Sequence, residues 1–474
     1  MMEKQYITPN DTIRESDSAS IQAAVDLAKS EGVNKVVIPR LNLRTNEAKW
    51  IISETVKLPS DMTVVLSDSF MQMADGVVGG FFKSETLFTP DGTSPEKRMR
   101  NIHIIGEGRA VLDGGKPTEL NEETQTALGV PVRLNTPIFF MNVEHFSVEN
   151  IEILHQRYWG MRFEFCSKGV IRDIYVEAIK DRRNQDGINL RNGCHDILIE
   201  NVSGQSGDDL IALSAIDTDL PTGFGESGND YSVIVEGMDW DIHDVTIRNI
   251  WGSPITHPLV ALRNHNGAKI YNIHMENLHD TASIRKGMDS DRERYAMVHI
   301  GDNIYYRISR QVMGDTHNIT VKDVYLNHTV AAVQVGGTVK NMSVSNVHAA
   351  GECRAILTVV GDNWGDDVYG VKMDGVDVDG VYMVASGDDS SVVDLPFMME
   401  GDYVKGLSVR NAHLENVDRL ALVHENCAEF DISTQNIRLT NSSDKIEYTD
   451  RKIKIKRAER NLLPFKSTVK REDI

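Results

Sequence analysis

The sequence predicts an all-β protein: a single-stranded right-handed parallel β-helix, a solenoid, with a short capping helix at its N-terminal end. Three observations lead there. A degenerate motif of alternating apolar residues around an Asn, Asp or Gly recurs along the chain. Its copies are separated by coil-sized intervals, and little between them has a helical period.

The copies read SVENIEI around Asn150, VIRDIYV around Asp173, ILIENVS around Asn201 and VTIRNIW around Asn249. They continue as IHMENLH around Asn277, ITVKDVY around Asp323, MSVSNVH around Asn346 and LSVRNAH around Asn411, with a weaker copy, VKMDGVDV, near Gly375. Asn150 to Asp173 and Asp323 to Asn346 are each 23 residues, and Asp173 to Asn201 and Asn249 to Asn277 are each 28. Asn201 to Asn249 (48) and Asn277 to Asp323 (46) are either two coils or one coil with a long excursion. Alternation along each strand puts apolar residues inside, and coils should stack at ~4.8 Å. The small polar residue suits a sharp bend, where Asn tolerates positive φ, and stacked copies would form an internal amide ladder. Leucine-rich repeats are the competing solenoid, but their LxxLxL spacing is absent.

The ends differ from the middle. Residues 19–31, ASIQAAVDLAKSE, place Ile21, Ala24, Val25 and Leu27/Ala28 on one helical face, and VNKVVIPR follows as a buried strand. Such a helix would cover the open end of the solenoid, which otherwise exposes a strand edge. Residues 1–474 are expected to form one domain, with a cap over about residues 1–50 and a strand and solvated tail over about 445–474. That basic tail carries Pro464 and receives no function.

The net charge of −20 argues against nucleic acid as a partner, because binding there needs a basic surface. A polyanionic ligand would need a local cationic pocket. No stretch approaches the ~20 apolar residues of a membrane span, and MMEKQYITPNDTIRESDS lacks the apolar core of an export signal. A cytoplasmic location is therefore expected unless a leader has been trimmed, and a homo-oligomer is compatible with the sequence. None of the four cysteines forms a CxxC pair, so zinc and thioredoxin-like chemistry have no support. Buried free thiols are expected, with a Cys166–Cys194 disulfide as the lesser option on neighbouring coils.

Three polar sites break the strand pattern. They are NQDG at 184–187, GDD at 207–209 and THP at 256–258. Asp186, Asp209 and His257 each stand two residues before an apolar residue expected to open the next strand, and Asp186 to Asp209 is 23 residues, one coil. His257 reaches the next rung if residues 217–241 form an excursion. With Asp208 beside them, the carboxylates would crowd, at about 1 kcal/mol of repulsion in water and several times more in a drier cleft. Crowding raises at least one pKa, giving a proton donor beside an ionised base, the pair that glycoside hydrolysis requires. A calcium site or solvated turn aspartates would use the same residues.

The run from Asn184 to Ala261 resembles glycoside hydrolase family 28, the polygalacturonase-like enzymes that degrade pectin, within the pectin-lyase-like β-helix superfamily. The family's NTD and G-DD motifs correspond to NQDG and GDDLIAL, and THPLVAL stands where the family has GHGLSI. The opening DSASIQAAVDLAKSEGVNKVVIPR also resembles the N-terminal cap of pectinase-type β-helices. The resemblance implies a carbohydrate substrate and no cofactor or metal. It implies Asp208 as general acid, Asp186 and Asp209 as holders of the attacking water, and His257 as a tuning and supporting group. It also implies inversion, with carboxyls roughly 6.5–9.5 Å apart.

The family's RIK, which supplies cations to a uronate, has no counterpart at the expected place. His299 and Gly301 stand on the next rung where Arg and Lys are expected. Arg285 and Lys286 are a second candidate pair, and Arg263 and His265 a third. Asn184 joins the substrate-binding candidates, as does Trp159, which if exposed would stack a sugar ring beside Tyr158 and His155. Trp240 and Trp251 flank the His257 coil. Two other functions remain open at this point. One is a β-helix lyase or fructotransferase; the other is a glycan-binding or tailspike-like protein without turnover.

Overall fold

The computed structural model describes residues 5–121, 123–178, 184–216, 239–253, 257–264, 267–281, 296–301, 311–327, 329, 331–350, 355–360, 371–385, 395–401 and 403–450. Among these residues the chain forms the expected parallel β-helix. One sheet of 16 strands and another of 13 run the length of the solenoid, every neighbouring pair within them parallel. The first sheet holds long strands such as Val143–Leu154 and His195–Gln205; the second holds short ones of three to six residues, such as Ile188–Arg191. A continuous apolar core lies between them, built from the inward alternate positions of both sheets.

Register settles the two ambiguous spacings. His195–Gln205 pairs directly with Ile242–Gly252, and Ile270–Asp280 pairs directly with Thr316–Leu326. Each long interval is therefore one coil with an excursion.

The recurrent Asn and Asp do adopt positive φ, from 52° at Asn346 to 59° at Asn277. They also ladder: Asn201 donates to Asp173, Asn249 to Asn201 and Asn277 to Asn249, each at 2.9 Å. The ladder is external, not internal as expected, because the left-handed bend turns the amide outward while its apolar flanks point to the core. A second positive-φ column runs five residues earlier, through Asp244, Asn272, Asn318 and Asn341. Gly375 belongs to that column, and Gly380 (φ 73°) takes the Asn346 position on its coil.

The capping helix spans Asp17–Glu31, two residues longer than expected. Ser16 caps it by accepting from the Ala19 N–H at 3.0 Å, and Gly32 ends it at φ 70°. Ile21, Ala24, Val25 and Ala28 are fully buried, with the helix against Lys35–Pro39, Trp50–Ile52 and Val56–Leu58. At the other end Ile446–Thr449 forms a strand; residues 451–474, including Pro464, lie outside the described residues.

Cys166 and Cys194 are buried free thiols, not a disulfide; Cys427 is only half-buried, and Cys353 lies outside the described residues. Burial pushes the Cys166 thiol up to about 12. Nearby, Phe146 and Phe163 stack at 4.7 Å inside the solenoid, with Phe140 edge-on to both.

Candidate active site

The second sheet positions the site. Ile188, Ile211, Val260 and Val298 stack on successive rungs and point inward. Asp186 and Asp209 precede Ile188 and Ile211 by two residues, so they occupy equivalent places on adjacent rungs. The Gly187 N–H donates to the Asp209 carbonyl at 3.0 Å, locking that relation. Gly187 is required by closeness: a Cβ there would lie 2.5 Å from the Leu210 carbonyl.

One registration differs from expectation. Ile211 pairs with Val260, not Leu259, so His257 stands level with Asp208 instead of Asp209. Its Nε2 lies 3.5 Å from Asp208 Oδ1. The slip arises because Leu259, like Leu210 below it, is a buried residue just ahead of the strand.

The three carboxylates converge. One oxygen from each of Asp186, Asp208 and Asp209 lies within 4.8 Å of the other two. Neighbouring rungs stack at ~4.8 Å, which brings Asp186 up to Asp208 and Asp209, themselves consecutive on the next rung. Asp186 and Asp209 are buried, while the Asp208 side chain keeps 15% of its surface exposed. Asp208 Oδ1 accepts from the Asp209 N–H at 3.0 Å and Oδ2 from the Asn184 N–H at 3.3 Å.

Electrostatics separate the three. Burial, then the charges of Asp208 and Asp209, hold the Asp186 carboxyl well above the ordinary carboxylate range; Arg263 and Asn189 oppose this. Burial raises Asp209 as well, and it stays above the ordinary carboxylate range although the Arg263 guanidinium, whose Nη1 contacts Asp209 Oδ2, opposes the shift. The cluster therefore holds a proton to higher pH than an exposed aspartate would. Each of the three could offer an oxygen to a cation. Ca²⁺ takes six to eight oxygen ligands, and here one of three carboxylates is already engaged by an arginine.

Of the substrate-binding candidates, Asn184 and Arg263 join this cluster, Arg263 against Asp209 and not as an open cation. Trp159 is buried and cannot serve as an open platform. Tyr158 lies parallel to it at 5.0 Å, and the Arg162 and Arg191 guanidinium groups sit over its ring at 4.9 and 5.5 Å. His299 is buried on the outward side of Val298–Ile300, beside Ala261. His265, Arg285 and Lys286 lie outside the described residues. Trp251 belongs to the first sheet, stacked on His279 at 5.4 Å, and Trp240 packs edge-on to Phe165 at 5.5 Å. Sequence reasoning missed Asn189, Arg191 and Ser214, which alternation turns outward on the strands just beyond the aspartates. The period-2 pattern could have found them.

A parallel β-helix with clustered acids on one sheet edge is the class defined by this fold and site. Residues 96–221, which include all three aspartates, match the family model described as Glycosyl hydrolases family 28. No curated protein matches the chain. Among solved structures, the surface adhesin PfbA of Streptococcus pneumoniae is similar at 15% identity, covering 93% of each chain, with a TM-score of 0.51. The tailspike of E. coli bacteriophage HK620, solved with a pentasaccharide, has 13% identity over 94% of this chain and 81% of its own, with a TM-score of 0.50. A Yersinia enterocolitica family 28 exopolygalacturonase has 13% identity over 96% and 79%, with a TM-score of 0.45.

Proposed function

We propose that the protein is a glycoside hydrolase that cleaves an oligo- or polysaccharide, with uronic-acid-containing glycans of the pectin type as the first candidates. The observation that carries this reading is the convergence of three carboxylates within 4.8 Å, two of them buried. Two oxygens at that distance can both accept hydrogen bonds from one water about 2.8 Å from each. Asp186 and Asp209 bracket that water in this reading. Asp208, the most exposed of the three, delivers the retained proton to the leaving oxygen, and His257 beside it tunes the transfer.

A carboxyl pair can act with retention, through a covalent intermediate, or with inversion, by a directly attacking water. A water held directly by two carboxylates attacks in one displacement and inverts, and inversion is the outcome adopted here. The first product's anomeric configuration, read by NMR, decides between them.

The test is digestion of a glycan panel by wild type beside Asp208→Asn, with products identified by mass spectrometry. Loss of the acid should cost about 10²–10⁴-fold in kcat. Full activity of Asp208→Asn would remove the assigned acid. Binding without turnover across the panel would favour the adhesin and tailspike type of role. A 4,5-unsaturated product would mean a lyase.

A further inference from the structure

Arg263 does not fit the role of a substrate-binding cation. It follows Leu262 on the strand Val260–Asn264 and pairs in register with Ser214 one rung below. From there its guanidinium reaches Asp209, whose side chain is 1% exposed; Arg263's own is 13% exposed. A buried carboxylate engaged by a guanidinium is held both in place and in charge state, because releasing either partner strands a charge out of water. Asp186 is buried beside Asn189. Asp208 faces His257 and the Asn184 N–H.

We propose that Arg263 is a positioning residue that fixes Asp209 as the permanent carboxylate of the trio, making it the base that activates water and leaving the retained proton to Asp186 and Asp208. This rests on the hydrolase reading above and deepens it by dividing the labour among three otherwise similar acids. The charged groups facing Asp209 are Arg263, Asp208, Asp186 and His257. Of these, Arg263 keeps its charge at every pH at which the protein is folded.

Arg263→Gln and Arg263→Lys decide the matter in two independent ways. The first needs no substrate: ¹³C NMR titration of the aspartate carboxyls. The Asp209 resonance should titrate at least about one pH unit higher in Arg263→Gln than in wild type, with Arg263→Lys in between. An unchanged Asp209 titration in a folded Arg263→Gln overturns the proposal. The second uses whichever glycan the panel identifies. Arg263→Gln should lower kcat by about tenfold or more with little change in KM, move the acidic limb of the pH profile upward, and be partly rescued by Arg263→Lys. A raised KM with unchanged kcat would return Arg263 to substrate binding. If Arg263→Gln does not fold, Arg263→Lys carries the same two readouts. Failure of the panel to yield any cleavage speaks against the hydrolase reading, while the carboxyl titration still judges Arg263.

Discussion

The two sheets of the solenoid share a core and a winding, yet their outer faces are opposites. On the first sheet the outward positions repeat. Glu149, Arg172, Glu200, Arg248, Glu276 and Lys322 alternate in sign over six registered rungs, with ion pairs such as Arg248–Glu200 at 2.7 Å and Lys322–Glu276 at 2.6 Å. Beside them Trp251, His279, Tyr325 and His348 stack ring on ring at 5.4, 4.4 and 5.2 Å. On the second sheet Arg162, Asn189, Ala212, Ala261, His299 and Gln334 stand in one column, buried and unlike one another. Repetition marks the face that holds the coil together, and broken repetition marks the face that carries the three clustered carboxylates. Stacked rings also cover each other's faces, so the aromatic column is packing and no sugar platform.

Substitutions can break that comparison. The largest effect on stability belongs to the shared interior: Phe163→Ala removes a ring stacked on Phe146 and should cost about 3–5 kcal/mol in denaturant unfolding. A loss below about 1 kcal/mol would show that the core tolerates the cavity by collapse.

On the site face the sign reverses. Between its unfolded and its raised folded value, the Asp186 carboxyl keeps its proton in the folded chain while its unfolded counterpart ionises. Its contribution is therefore intact below about pH 4, its unfolded value, and is lost as pH climbs toward the raised folded value. Each pH unit in that window removes at most about 1.4 kcal/mol. Asp186→Asn should raise the Tm at pH 7, more than at pH 4, while abolishing turnover. Equal shifts at both pH values would mean that the carboxyl is not raised.

On the ladder face, Asn249→Ala forfeits hydrogen bonds to Asn201 and Asn277 and replaces an Asn, which tolerates φ 57°, with a residue that tolerates it less. About 1–3 kcal/mol should be lost, with Asn249→Gly milder because the backbone term vanishes. Activity should be untouched. The smallest effect is Glu200→Gln, in a partly exposed ladder, at under about 1 kcal/mol and fading in high salt.

The sequence made the fold legible because a solenoid writes its geometry as a period: the motif Asn and Asp residues from 150 to 411 all take the left-handed bend. The gathering of Asp186, Asp208 and Asp209 was readable for the same reason, one coil being 23 residues there. What failed lay where the period lapses. Ahead of Val260–Asn264, a second buried leucine offers two strand starts, and the choice between Leu259 and Val260 moves His257 by one residue. Whether Trp159 is exposed was not legible, because two arginines from different strands cover it, a contact that spacing cannot carry. Arg263 was found as a cation, but its partner depends on a side-chain direction known only from the fold.

Cys166 and Cys194 face the core on consecutive coils, Cys194 on the coil that carries Asp186 and Cys166 one coil below. With one thiol pushed to about 12 and both out of solvent's reach, an alkylating reagent can modify them only when that stretch of the winding comes apart. The rate of labelling at these two sulfurs is thus a built-in clock for local breathing, and a bound ligand spanning the neighbouring rungs should slow it.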